Sequence, residues 1–391
     1  MAARVEGLAI PPADGVTPAA HPRVVFGPGA VDALPGAVAA LAGPSARTLV
    51  VLTASSAGRP WRARLLDGLA PAATEAWEHP SGSPTPETVE ATAAAAREHD
   101  ADVLVAVGGG GVMDAAKAAA ALLAAGGARR PGVVTVPTTP GSGAEVTPFA
   151  TVWDFDAGRK ESAEGTVAPA AAIVDPDLSE GVPQPVFAAS VLDALTQGAE
   201  AAWSTRSTPA SRAAGLSAVA LVAQAADALF AEAPGAGART VAALAGLQSG
   251  HAIAVSQTTA CHALSYPLTA RHGVRHGHAC VLTLGALLAY NAQTAEADCV
   301  DGRGPEHVRS ACARVAAALG APTVPAAALT IDAMRRRAGL AAYDACAADD
   351  AVVAAEAATY GRLDNNPRRL DAERLRELLR SLEPPEGARP C

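Results

Sequence analysis

Aromatic residues are scarce in this chain: Phe, Tyr and Trp together supply 3% of its 391 residues. Half of the residues are nevertheless hydrophobic, so a sizeable interior is expected, filled mainly by Ala, Val and Leu. Ala-rich stretches favour helix, because Ala loses no side-chain entropy there. Charge is sparse too, at 18%, and the balance is acidic, with a formal net charge of -9. That argues against a nucleic-acid partner, which demands a basic face. The six cysteines (Cys261, Cys280, Cys299, Cys312, Cys346, Cys391) show no CxxC spacing, so reduced thiols of a cytoplasmic protein are expected rather than a disulfide framework. No run of roughly 18 uncharged apolar residues reads as a membrane span. The most apolar stretch, 241–264, contains Gln248, His251, Gln257 and His262 and reads as a buried helix. The opening MAARVEGLAIPPADG has no basic start followed by an apolar run, so no signal peptide is expected.

The length exceeds one ordinary core, which points to two domains. Residues 1–22, rich in Pro and Ala, read as a loose arm. From 23 onward, short β-branched runs alternate with Ala-rich amphipathic segments. Strands are expected at 48–53 (TLVVLT), 102–107 (DVLVAV), 132–136 (GVVTV) and 171–174 (AAIV), with helices such as 86–98 and 112–125 between them. This alternation predicts a parallel sheet with helices on its faces, a Rossmann-like dinucleotide-binding α/β domain over 23–182. After Asp175 the strand signal stops. Helices are expected at 186–203, 209–233, 240–264, 279–290, 306–319 and 372–382, giving an all-α domain over 183–391.

Two loops in the α/β part carry chemistry. Strand DVLVAV runs into Gly108-Gly109-Gly110-Gly111 and then a helix; such a turn lets a diphosphate approach backbone N–H groups, or is simply tight. Asp114 and Lys117 follow, and on their own they read as a first-turn carboxylate and a solvated lysine. The next strand ends in PTTPGSGAE, with hydroxyls at Thr138, Thr139 and Ser142. Open α/β sheets bind ligands at that edge, and two such loops in succession favour cofactor binding. In the helical part, Asp193 and Gln197 lie four apart on one helix face. Four histidines crowd 262–278 (His262, His272, His276, His278), with Pro267, Gly273 and Gly277 expected to bend the chain so that His262 and His276 converge. A carboxylate and two imidazoles suit Fe(II) or Zn(II); the alternative is a pair of hydrogen-bonded core histidines.

These blocks resemble the iron-containing (group III) alcohol dehydrogenases. GGGGVMDAAK at 108–117 is similar to the family's GGGSxxDxxK, and PTTPGSGAEVT at 137–147 to its PTTxGTGSEVT. IVDPDL, DALTQGAEAAWS, the 262–278 histidine block, the early VFGPGAVDALP and the late NNPR also match. The resemblance implies a dehydroquinate synthase-like fold with its reaction centre in a cleft between the two halves, NAD(P)-dependent aldehyde–alcohol chemistry, and a homodimer. It places Gly108, Gly109 and Gly110 at the pyrophosphate, Asp114 near the nicotinamide ribose, Thr138, Thr139 and Ser142 along the cofactor groove, and Lys160 at the adenosine end. It aligns Asp193, Gln197, His262 and His276 with metal ligands.

Three departures bear on function. Gln197 stands where the family carries a ligating His, so weaker metal binding is expected, and related maleylacetate reductases suggest a metal-free variant. Tyr266 stands where a substrate-side His is common, and with SYPLTARHG and HGHA it resembles a subgroup that reduces phosphonoacetaldehyde to 2-hydroxyethylphosphonate. There Arg271 and Arg275 either bind an anionic substrate or are solvated loop residues. After TLVVLT the chain reads Thr53-Ala54-Ser55-Ser56, without a carboxylate to repel a 2′-phosphate, so NADPH is expected over NADH. Hydride transfer at nicotinamide C4 follows, with the metal, or else His276 or Tyr266, stabilising the alkoxide, and His272 or His278 relaying the proton. A sugar-phosphate cyclase-like lyase of the same superfold and a non-catalytic binding protein are the alternatives.

Overall fold

The computed structural model describes residues 3–5, 8–10, 22–69, 73–80, 82–156, 159–164, 168–343 and 349–382. Cys346 and Cys391 lie outside the described residues. The chain divides into two compact units, Met1–Glu180 and Gly181–Cys391.

In the first unit, β-branched runs form strands because a parallel strand covered on both faces needs an apolar side chain at every position. The strands are β1 (Ala3–Val5), β2 (Leu8–Ile10), β3 (Arg23–Phe26), β4 (Thr48–Thr53), β5 (Thr74–His79), β6 (Val103–Gly108), β7 (Gly132–Pro137), β8 (Phe149–Asp154), β9 (Arg159–Glu164) and β10 (Ala171–Val174). Six of them form one sheet in the order β3-β10-β7-β6-β4-β5, all neighbours parallel. The helices are α1 (Leu34–Ala42), α2 (Pro60–Gly68), α3 (Pro86–Glu98) and α4 (Gly110–Ala125). Successive residues of β4 and β6 alternate between the two faces. Leu49, Val51, Leu104 and Ala106 pack with Val89, Ala93 and the Ala-rich α4, while Val50, Leu52, Val103 and Val105 pack with Leu34, Val38 and Leu65. Helix α3 starts where Thr85 accepts from the Thr88 N–H and Pro86 occupies the first turn.

The 1–22 segment is not wholly an arm: β1 and β2 pair antiparallel, and its remaining structure lies outside the described residues. Two antiparallel strands, β8 and β9, form a separate hairpin that the alternation rule did not anticipate.

The second unit contains, among the described residues, helices only, apart from one isolated bridge. They are α5 (Gln184–Trp203), α6 (Pro209–Gln224), α7 (Ala226–Leu229), α8 (Ala236–Ser256), α9 (Ala260–His272), α10 (His276–Asn291), α11 (Pro305–Ala318), α12 (Val324–Arg337), α13 (Asp350–Ala357) and α14 (Ala372–Arg380). The expected 240–264 helix is broken: Gln257 takes a left-handed φ of 55°, ending α8 and letting α9 start in a new direction. Pro267 sits inside α9 and does not end it. The turn falls instead at Gly273, whose φ of 66° suits a residue without Cβ. Small residues set the helix spacing. A Cβ on Gly277 of α10 would stand 2.0 Å from the Ala189 carbonyl oxygen and 2.8 Å from Asp193 Cβ on α5. No described helix is long and apolar enough to cross a membrane.

Candidate active site and metal centre

The strand order of the first unit reverses between β4 and β6, and in open α/β sheets that switch point is where a ligand crevice forms at the strands' carboxyl ends. β4 ends there at Thr53, β6 at Gly108 and β7 just before Thr138, and Gly108 pairs with Pro137. Gly109 caps α4, whose first N–H groups lack intrahelical partners. The second loop closes on this turn: the Thr138 N–H donates to the Gly108 carbonyl at 2.9 Å. A Cβ on Gly109 would meet Thr139 Oγ1 at 3.0 Å, and one on Gly110 would meet Ser142 Oγ at 3.0 Å. Thus Gly108, Gly109, Gly110, Thr138, Thr139 and Ser142 come together, with Thr53 on the adjoining strand. Thr53 Oγ1 is 2.6 Å from Ser55 Oγ. Lys160 lies on the separate hairpin, opposite Trp153.

Lys117 is fully buried, not solvated. Its ammonium donates to the carbonyls of Ala144 (2.9 Å) and Phe149 (2.6 Å) and lies 2.9 Å from Asp114 Oδ1. Asp114 Oδ2 accepts from the Thr151 N–H at 3.0 Å. A buried charge is tolerated only when so paired, and this pair ties α4 to the second loop and β8. Within the same loop, burial pushes the Glu145 carboxyl up to about 7.

In the second unit, α5 presents Asp193, Gln197 and Glu200 at helical spacing, all buried. Glu200 is the residue that organises His262. One oxygen meets His262 Nδ1, and the other accepts from Thr259 Oγ1 at 2.6 Å and the Cys261 N–H at 2.8 Å. The Trp203 indole N–H in turn donates to Thr259 Oγ1 at 3.0 Å. Burial opposes ionisation of Glu200, yet His262 and the donors around it hold its carboxyl below the ordinary range. A carboxylate only accepts, so His262 Nδ1 carries the proton and Nε2 is the ring's basic atom. That Nε2 is 3.4 Å from Asp193 Oδ1, too poorly aligned to satisfy the buried carboxylate oxygen. Burial disfavours the charged imidazole, yet Cys280, Glu200 and Asp193 hold it well above its ordinary range.

His276 is held in the same sense. The Ser265 hydroxyl donates to the His262 carbonyl at 2.7 Å, so its oxygen is the acceptor for His276 Nδ1 at 3.2 Å. The two imidazoles cross at 72° with centroids 5.3 Å apart. Tyr266 stacks on His276 (6.1 Å, 14°) and meets Tyr360 edge-on at 4.9 Å. One turn beyond His276, Cys280 joins the group: ligand atoms of Asp193, His262, His276 and Cys280 all lie within 4.8 Å of one another. Burial raises the Cys280 thiol, but the imidazoles of His262 and His276 outweigh it and hold it below its usual value. Cys261, next to His262, shows the opposite: burial and Glu200 hold its thiol well above the ordinary range.

The remaining sequence candidates stand apart. The Gln197 side-chain oxygen meets Ser249 Oγ of α8 at 2.9 Å. Arg271 is half-exposed and bound by Glu356 at 2.6 Å, and Arg275 is exposed at the start of α10. His278 Nε2 meets the Ala341 carbonyl oxygen at 2.7 Å. Glu200 and Cys280 were missed in the sequence, although each repeats a helical interval: Glu200 lies seven after Asp193, and Cys280 lies four after His276.

Residues 21–176 match the model of the iron-containing alcohol dehydrogenases, and residues 187–382 match that of the C-terminal region of the Fe-containing alcohol dehydrogenase family. A phosphonoacetaldehyde reductase of Streptomyces viridochromogenes is 48% identical over 364 residues, covering 87% of this chain and 92% of that protein. The crystal structure of sulfoacetaldehyde reductase from Bifidobacterium kashiwanohense in complex with NAD+ superposes with a TM-score of 0.80 at 26% identity, covering 94% of this chain and 98% of the other. An iron-containing alcohol dehydrogenase from Thermococcus thioreducens shares the fold, with a TM-score of 0.79 at 23% identity over 92% of this chain and 97% of its own. With both of its units matched, the chain belongs to the iron-containing alcohol dehydrogenase family and is a nicotinamide-dependent oxidoreductase.

Proposed function

We propose that the protein reduces a small anionic aldehyde, phosphonoacetaldehyde, to 2-hydroxyethylphosphonate, with NADPH as hydride donor and a divalent metal, Fe2+ or Zn2+, at Asp193, His262 and His276. In this reading residues 23–182 bind the dinucleotide and residues 183–391 bind metal and substrate. One observation carries it: a buried carboxylate oxygen without a hydrogen-bond partner faces an imidazole whose Nε2 is its basic atom, with a second imidazole beside it. In a packed core such an oxygen costs free energy unless something occupies it, so the residues fit a divalent cation. The choice of substrate is supported by the 48% identity to the phosphonoacetaldehyde reductase.

When bound, the metal supplies Lewis-acid polarisation of a carbonyl oxygen, and the nicotinamide supplies the hydride. The chain's own residues do the rest. Glu200 and Ser265 fix the tautomers of His262 and His276, so neither ring needs to reorient. Tyr266 and Tyr360 pack over the His276 side of the site. Arg275, one residue before His276, is our candidate for the phosphonate, since Arg271 is already neutralised by Glu356. The Gly108–Gly110 turn and the Thr138–Ser142 loop take the pyrophosphate and groove contacts, and Thr53 leaves room for a 2′-phosphate.

The test is a steady-state comparison of phosphonoacetaldehyde with sulfoacetaldehyde and acetaldehyde, using NADPH and NADH. We expect kcat/KM for phosphonoacetaldehyde with NADPH to exceed the other combinations by about tenfold or more, ~1.4 kcal/mol of transition-state binding. Equal turnover of acetaldehyde rules out the anionic substrate, and a tenfold preference for NADH rules out the cofactor choice.

A further inference from the structure

We propose that Cys280 is a ligand of the metal centre, so that the metal sits among one carboxylate, two imidazoles and one thiolate, and that this makes the site a zinc site. The inference rests on the reading of Asp193, His262 and His276 as metal-binding and adds a fourth group from α10. Three observations support it.

The first is convergence. His276 and Cys280 stand one helical turn apart on α10, so both side chains project from one face toward α5 and α9. The Cys280 sulfur is 3.8 Å from His276 Nε2, and one donor atom from each of the four residues fits within 4.8 Å. Four donor atoms that close to one another can surround one zinc ion, and expansion to five-coordinate would admit a carbonyl oxygen.

The second is the competing residue. Gln197, on the face of α5 that carries Asp193, directs its side-chain oxygen to Ser249 on α8 at 2.9 Å. The third is placement. Cys261 is held against Glu200 through its backbone N–H, whereas the Cys280 sulfur lies within 3.9 Å of both ring nitrogens of His276.

A thiolate is a softer ligand than an amide or carboxylate oxygen, and with imidazole it suits zinc. Purified protein grown with both metals present should therefore retain zinc. Cobalt(II) replacing the native ion reads the ligand set directly, because a coordinated thiolate gives a near-ultraviolet sulfur-to-cobalt charge-transfer band that nitrogen and oxygen ligands do not.

The experiment compares cobalt titrations of the wild type, Cys280→Ser, Cys280→Ala and Gln197→Ala, followed by absorption spectra and by competition with zinc. The wild type and Gln197→Ala should show the charge-transfer band. Both Cys280 variants should lack it and bind zinc more weakly by more than the ~10–100-fold that loss of an outer-shell partner costs. Zinc should also protect Cys280 of the wild type from alkylation, a readout that needs no variant to fold. Cobalt bound by the wild type without the band, or Cys280 alkylated equally fast with and without zinc, overturns the thiolate ligand and leaves the three-residue site standing. Failure of the wild type to bind cobalt or zinc at all overturns both.

Discussion

At the scale of single residues, the buried charges divide into two kinds. Asp114 and Asp193 each have a buried Oδ1 without a formal hydrogen bond. Asp114 Oδ1 has the Lys117 ammonium at 2.9 Å and its other oxygen on the Thr151 N–H, which makes the pair part of the scaffold of the second loop. Asp193 Oδ1 has no cation that close and shares a cluster with two imidazoles and a thiol, which is why we assign it to chemistry. Nothing in the sequence distinguishes these cases, since each is a charged residue within an apolar helix; only the identity of the facing element separates them. Glu145 belongs to neither kind and yields a pH prediction. Its carboxyl rises from 4.5 to about 7 through burial. Below pH 4.5 both folded and unfolded chains hold the proton; above it the unfolded chain ionises first, so stability falls until about pH 7 and is level thereafter. The shift corresponds to a loss of about 3 kcal/mol across that window. Urea midpoints measured at pH 5 and pH 8 should differ accordingly, and Glu145→Gln should remove most of the difference. An unchanged slope in the variant would assign the pH dependence to other groups.

At the scale of elements, the site depends on how closely helices approach. α5 and α10 touch through Gly277, where even a methyl group would collide with the Ala189 carbonyl oxygen. α5 and α6 cross at Gly198 and Gly215, each backbone oxygen standing 2.5 Å from where the other's Cβ would be. Gly277→Ala must therefore push α10 from α5, and Asp193 and His276 sit on those two helices. We expect a stability loss of about 1–3 kcal/mol, as for other overpacked cores, together with weaker zinc binding. A thermal melt and a zinc titration of the same sample check both, and a variant that loses stability but keeps full affinity would show that the ligands tolerate the shift. Sequence reading found Gly277 but gave it the wrong task, as a helix breaker, because a glycine needed for close approach looks the same as one needed for a turn. The turn belongs to Gly273, whose left-handed φ gives glycine its advantage. Pro267 was likewise read as a bend, although α9 continues through it.

At the scale of the whole molecule, most of the architecture is legible. Runs such as TLVVLT and DVLVAV, short and rich in valine, read as strands covered on both faces, and the loss of that signal after Asp175 marks the helical unit. What escapes is structure without periodic apolar residues. The edge strand β5 reads TEAWEH, with its charges turned to solvent, and the β8–β9 hairpin breaks the parallel rule. In the site, the three ligand candidates lie in blocks that resemble the family. Glu200 and Cys280 do not stand out, because a buried Glu or Cys gains meaning only from the imidazoles it faces. Cofactor and metal contacts are assigned to different units, and this has a measurable consequence. Removing the metal with a chelator should abolish turnover while leaving NADPH binding, followed by its fluorescence, within about twofold, ~0.4 kcal/mol. Adding back zinc should restore the rate. Full activity of metal-free protein would refute a metal-assisted mechanism.

Asp193 belongs to a helix that precedes α9 and α10 by a long stretch of chain, with α6, α7 and α8 between them. A nascent or partly collapsed polypeptide can offer a cation the histidines and the thiol, but not the carboxylate and the Glu200 brace, until the bundle has closed. In the proposed site, high-affinity loading therefore requires the bundle to have closed, so it would report that distant parts of the chain have met.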